Sequence, residues 1–121
     1  MKILVVDDDP VIGTLVNEFL TAHGHEIEVL NSGEECLARL SEAARPDMLL
    51  LDLVMPDMTG IDVLQRIKGN KETNSIPVVM LSAKEDTSEL LDKYAFQADR
   101  YVEKPFNIRK LLDVIRDFEP S

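Results

Sequence analysis

The sequence contains one cysteine, two histidines, few aromatic residues and no long apolar run. A single thiol cannot build a disulfide framework, and Cys36 falls beside Leu37 and Leu40 in a helical pattern, which assigns it to packing rather than chemistry. No stretch is long enough to span a bilayer, and the apolar residues that follow Lys2 are too few for a signal peptide, so a cytoplasmic protein with no membrane partner is expected. Basic residues are scarce, 13 against 23 acidic, and the formal net charge of -10 argues against direct nucleic-acid binding. His23 and His25 flank Gly24 and read as a turn rather than a metal site. There is no internal repeat and no low-complexity segment, and only residues 119–121 look like linker.

What is present suits one domain: 121 residues, 45% of them hydrophobic and 30% charged. Short apolar runs alternate with helical patterns along the chain. Residues 3–6 read as a strand, and Asp9-Pro10 then reads as a helix cap and first helical residue. Ile12, Leu15, Val16, Phe19 and Leu20 form the buried stripe of that helix. A strand at 26–30 follows, and then a helix opened by Ser32 and Glu35 with Leu37, Leu40 and Ala44 inward.

The next strand leads into residues 48–60, MLLLDLVMPDMTG. Beyond them Ile61, Leu64 and Ile67 mark a third helix, stopped at Gly69-Asn70. Residues 78–81 form a fourth strand, ending in Ser82-Ala83-Lys84. A fourth helix is expected after Asp86, with Leu90, Leu91, Tyr94 and Ala95 inward, then a fifth strand at 101–103. The last helix starts near Asn107 and buries Ile108, Leu111, Leu112, Ile115 and Phe118. Five alternations of strand and helix predict an open parallel α/β sheet with right-handed crossovers and helices on both faces. Ligands of such sheets bind beyond the carboxyl ends of the strands.

The chemistry concentrates at those ends. Asp52 terminates an apolar strand, where it must cap something, hold a cation or react, because burial disfavours an ionised carboxylate. Asp7, Asp8 and Asp9 terminate the first strand. If the two strands are parallel neighbours, four carboxylates share one sheet edge. Like charges ~4 Å apart repel by a few kcal/mol at an effective dielectric near 20, so the cluster should recruit a cation or protons. Oxygen donors without nearby Cys or His suit a hard ion, Mg2+ being the natural choice. Asp9 reads as the helix cap, and Asp57 and Asp62 read as solvated charges.

Four segments in this order, ILVVDDDP, LLLDLVMPDMTG, VVMLSAK and YVEKPF, resemble the receiver domain of two-component response regulators over essentially the whole chain. The resemblance implies a flavodoxin-like (βα)5 fold of strand order 2-1-3-4-5, one receiver domain over residues 1–121 and no output domain in this chain. It implies that Asp52 accepts a phosphoryl group from a phosphohistidine on a histidine kinase or phosphotransfer protein. Mg2+ would be held by Asp8, Asp52, the Val54 backbone carbonyl and, through water, Asp7. Lys104, the Ser82 hydroxyl and the Ala83 amide would engage phosphoryl oxygens. Ser82 would move toward the phosphoryl group and Tyr101 would fill the space it leaves, changing the surface read by a downstream effector. Such a protein is a switch that modifies itself and not an enzyme of external substrates. The Lys104-Pro105 bond is expected to be cis.

Departures and rivals follow from the same residues. Gln97 stands where the family often has glycine, Ser82 replaces the commoner threonine, and Val54 and Lys84 occupy positions thought to tune dephosphorylation. A Mg2+-dependent phosphohydrolase would usually carry a second Asp where this chain has Val54. A flavin-binding protein would need phosphate donors where Asp7, Asp8 and Asp9 would repel a phosphate. A docking module that is never phosphorylated is the remaining alternative.

Overall fold

The computed structural model describes residues 1–42, 44–83, 98–104 and 107–119. Its elements are β1 (Lys2–Val6), α1 (Pro10–Ala22), β2 (Glu26–Leu30), α2 (Gly33–Leu40), β3 (Met48–Asp52), α3 (Gly60–Lys68), β4 (Val78–Ala83), β5 (Arg100–Lys104) and α4 (Ile108–Arg116). The strands form one sheet in the order β2-β1-β3-β4-β5, and every neighbouring pair is parallel. The helix expected after Asp86, together with Lys84, Gln97, Pro105 and Phe106, lies outside the described residues. So does the Lys104-Pro105 bond.

The period of two along each strand divides the interior into two cores. Leu4, Val6, Leu49, Leu51, Val78 and Met80 face α2 and α3, where Cys36, Leu40, Ile61, Leu64 and Ile67 meet them. Their neighbours Ile3, Val5, Met48, Leu50, Val79 and Leu81 face α1 and α4, meeting Val16, Leu20, Leu111 and Ile115. All five residues of β3 are buried, as befits a central strand covered on both sides. β2 is the outer strand beside β1; Glu26 and Glu28 are exposed along it.

Each helix starts on a side-chain acceptor. Asp9 accepts from the Val11 amide at 2.9 Å, with Pro10 as the first residue of α1, and Ser32 accepts from the Glu35 amide at 3.1 Å. Thr59 and Asp62 form a reciprocal capping box at α3, and Asn107 accepts from Arg109 at α4. Burial drives the Cys36 thiol up to about 12, so it is inert packing. His23 ends α1, Gly24 takes the left-handed backbone at φ 91, and His25 is buried beside the Met1 amino group and Glu119. Among the described residues no helix is long and apolar enough to cross a membrane.

Two expected core positions are wrong. Leu15 is 52% exposed, because Gly13, Val16 and Leu20 define the buried line of α1 and the rotation of about 100° per residue carries Leu15 off it. A Cβ at Gly13 would lie 3.0 Å from Val29 Cγ1, so a larger residue there requires Val29 to shift by a few tenths of an ångström. Ala44 is exposed because α2 ends at Leu40, and Ser41 caps it instead of continuing the stripe.

These positions separate in a denaturation experiment. Leu50→Ala, at a side chain with no exposure, should lower the unfolding free energy by about 2–5 kcal/mol. Leu15→Ala should stay within about 0.5 kcal/mol of wild type, measured by urea unfolding followed by circular dichroism.

Candidate acidic site at the carboxyl edge of the sheet

The strand order reverses between β1 and β3: the chain passes from β1 outward to β2 and then returns to β1's other side. A crevice therefore opens beyond the carboxyl ends of these two strands, where no connection crosses. Val6 pairs with Leu51, so the residues that follow each, Asp7 and Asp52, come side by side. Asp7 has no exposure and Asp52 only 6%, while Asp8 is exposed at the rim. The Asp9 amide donates to Asp7 Oδ1 at 2.9 Å and fixes the carboxylate's direction.

The other two strands complete the edge. Asp52 pairs with Leu81, and the Leu53 amide donates to the Leu81 carbonyl at 2.9 Å, which places Ser82 and Ala83 alongside. Ser82 is 2% exposed. Ala83 pairs with Lys104 at the end of β5. From there the Lys104 ammonium reaches back across the sheet, 3.0 Å from Asp7 Oδ2 and 3.1 Å from Asp52 Oδ1.

Burial and the adjacent Asp7 charge push Asp52 up to about 6, against the pull of the Lys104 hydrogen bond and charge and a backbone hydrogen bond from Val54. Burial works against the Lys104 ammonium, but its hydrogen bonds to Asp7 and Asp52 outweigh that and raise its pKa above the usual lysine value. Removing one member of such a buried pair typically costs about 3–5 kcal/mol, because the partner charge is left uncompensated. The lysine is thus part of the fold as well as of the site.

Asp7, Asp8 and Asp52 each offer a carboxylate oxygen, and the three atoms lie within 4.8 Å of one another. A donor set of oxygens alone, without nitrogen or sulfur, fits a hard divalent cation. The fold therefore brings Asp7, Asp8, Asp52, Ser82, Ala83 and Lys104 together at one edge. Val54 adjoins them on the loop after β3, its side chain 60% exposed. Tyr101 lies two residues along β5 from Ser82's partner Glu103, half-buried against the α2–α3 core, and its hydroxyl accepts the Ala98 amide at 3.1 Å.

A model of the response regulator receiver domain matches residues 3–116. The chain belongs to the response regulator receiver family. The receiver is 38% identical over 115 residues to the DNA-binding response regulator MtrA of Mycolicibacterium smegmatis, covering 95% of this chain and 49% of that protein. It is 37% identical over 111 residues to the phosphate regulon transcriptional regulatory protein PhoB of Rhizobium meliloti, covering 92% and 48%. The receiver thus spans about half the length of these curated relatives. Among solved structures it superposes on the chemotaxis response regulator CheY4 of Vibrio cholerae with TM-score 0.87 and 30% identity, covering 98% of both chains. It also superposes on TrrA of Thermotoga maritima, solved in complex with Mg(2+)-BeF, with TM-score 0.84 and 33% identity over 98% of both chains. Receivers of this family are self-modifying switches built around aspartate phosphorylation, not enzymes that turn over external substrates, and this receiver carries an acidic cluster placed to bind a divalent ion.

Two residues read as solvated charges have defined partners. Asp62 closes the capping box with Thr59, a pattern legible as Thr-x-x-Asp before an apolar run. Asp57 accepts backbone amides from α2, a contact between segments 24 positions apart that no local pattern announces.

The raised Asp52 pKa sets a pH dependence. The folded receiver holds a proton on Asp52 more tightly than the unfolded chain does, so this group's contribution to stability is complete below the ordinary carboxylate range, is lost as pH rises to about 6, and stays lost above that. A divalent ion needs the ionised form. Mg2+ affinity measured by titration calorimetry should therefore fall by about tenfold between roughly pH 7 and pH 5, and an affinity flat across that interval would contradict the raised pKa.

Proposed function

We propose that this receiver accepts a phosphoryl group on Asp52 from the phosphohistidine of a histidine kinase or phosphotransfer protein, and that the modified form is read by a downstream effector. The observation that carries the proposal is the bridging position of Lys104, whose ammonium lies within hydrogen-bond distance of both Asp7 and Asp52. A carboxylate approaches an anionic phosphoryl group only where cationic groups offset the repulsion. Asp7, Asp8, Asp52 and the Val54 carbonyl are the residues that would hold Mg2+. Bound there, the ion would supply charge neutralisation for the phosphoryl oxygens.

An Asp52 carboxylate oxygen forms the new bond to phosphorus as the phosphorus–nitrogen bond of the donor breaks, the electron pair leaving with the imidazole. Lys104 turns from a carboxylate to a phosphoryl oxygen, and the Ser82 hydroxyl and Ala83 amide donate to others. Phosphorylation adds roughly -1.5 to -2 charge, enough to draw both donors inward. Tyr101 is the residue proposed to transmit that shift, exchanging its contact with the Ala98 amide for the space beside Ser82. A coupling of about 1–3 kcal/mol would suffice.

Incubation with a small phosphodonor and Mg2+ should add the mass of one phosphoryl group. Asp52→Asn or a chelator should abolish the gain, and Lys104→Ala should slow it by about 100-fold on the folded fraction. Labelling of Asp52→Asn at the wild-type level would overturn the acceptor, and a wild-type chain that takes no label would favour an unphosphorylated docking module.

A further inference from the structure

The loop from β3 to α3 is tied down at both ends. Leu53 donates to Leu81, and the Gly60 amide returns to the Leu53 carbonyl at 2.7 Å. Gly60 lies so close to the strand end that a Cβ would fall 2.4 Å from the Asp52 carbonyl oxygen. Between these points Met55 is buried and Met58 packs against the core, while Val54, Pro56, Asp57 and Thr59 are exposed, so burial anchors the loop at its methionines only. This is also the stretch on which the Val54 backbone stands beside the acceptor carboxylate.

Asp57 adds a polar restraint between those anchors. Its Oδ1 accepts from the Gly33 amide at 3.1 Å and its Oδ2 from the Glu34 amide at 2.9 Å. These are amides of the first turn of α2 that have no partner within the helix, and the helix's own cap, Ser32, serves Glu35 instead. The two segments meet closely around that contact. A Cβ on Gly33 would fall 2.4 Å from Met58 Cγ and 2.7 Å from Met58 Sδ, so a larger residue there would have to displace the Met58 side chain. The Glu34 amide, helped by the Gly33 amide and opposed by burial, holds Asp57 below the usual carboxylate range, so it is ionised when it makes these bonds.

We propose that Asp57 is a positioning residue for the reaction at Asp52, fixing through α2 the loop that presents the Val54 backbone to the bound cation. The proposal rests on the reading of Asp52 as acceptor and Val54 as an oxygen ligand. Asp57 touches neither phosphoryl group nor metal. Its loss leaves Asp7, Asp8, Asp52 and Lys104 in place and loosens one ligand, so the effect falls on the Mg2+ requirement and not on the rate at saturating Mg2+.

The test measures Mg2+ binding by calorimetry, and the Mg2+ dependence of labelling by a small phosphodonor, in wild type, Asp57→Ala and Asp57→Asn. Asp47→Ala is the control, because Asp47 makes an equivalent strap to the Lys2 amide at 2.8 Å at the opposite end of the sheet. Asp57→Ala should raise the half-saturating Mg2+ about tenfold while labelling at saturating Mg2+ stays within about threefold of wild type. Asp57→Asn, which keeps one acceptor oxygen, should fall between. Asp47→Ala should lower the melting temperature without moving the Mg2+ half-saturation. Equal Mg2+ affinity in wild type and Asp57→Ala, or an equal shift in Asp47→Ala, overturns the proposal. A wild-type chain that binds Mg2+ but takes no label overturns the acceptor reading alone, and the calorimetric comparison still decides the role of Asp57.

Discussion

The structure depends on keeping mutually repelling carboxylates together at the end of a buried sheet. Parallel pairing of β1 with β3 forces Asp7 and Asp52 into proximity, and neither can escape to solvent. The Lys104 ammonium, delivered from β5, makes the arrangement tolerable. Everything between exists to bring that lysine there: β4 spans the gap between β3 and β5, and the register of Ala83 with Lys104 sets its height along the sheet. Among the described residues the cluster is short of positive charge, with Asp7, Asp8 and Asp52 against Lys104, which is why a divalent ion or an added phosphoryl group changes its electrostatics so much.

The rigidity of that edge comes from the two cores beneath it. Alternate residues of the same strands feed opposite faces, so neither layer can shift without disturbing the other. Asp7, Asp52 and Lys104 lie at the last residue of a strand or just beyond it, where the backbone is still held by the ladder and the side chains meet at the sheet's edge. This placement reconciles precise geometry with access to a ligand.

Much of this was legible in the sequence because its signals are local. Apolar runs ending in acid, serine or lysine located the strand ends, and Asp9, Ser32 and Asn107 announced their helices. Residues whose roles depend on a distant partner are legible only in part. Asp57 looks like any loop acid until α2 arrives beside it, and His25 looks like a turn residue until the amino terminus and Glu119 enclose it. Leu15 and Ala44 failed differently. Hydrophobic spacing gives a stripe broader than the surface a helix can bury, and only the neighbouring strand and the helix's stopping point decide which members are covered.

The outer border of β2 carries a further meaning. An unpaired strand offers its amides and carbonyls to any other chain that could lie alongside. Here that border displays Glu26 and Glu28, and Arg39 from α2 leans over to pair with Glu28 at 3.1 Å. A second copy adding itself there would have to bring its own acids against these and dislodge the arginine, so the sheet resists lengthening into a fibre while its acidic edge stays open.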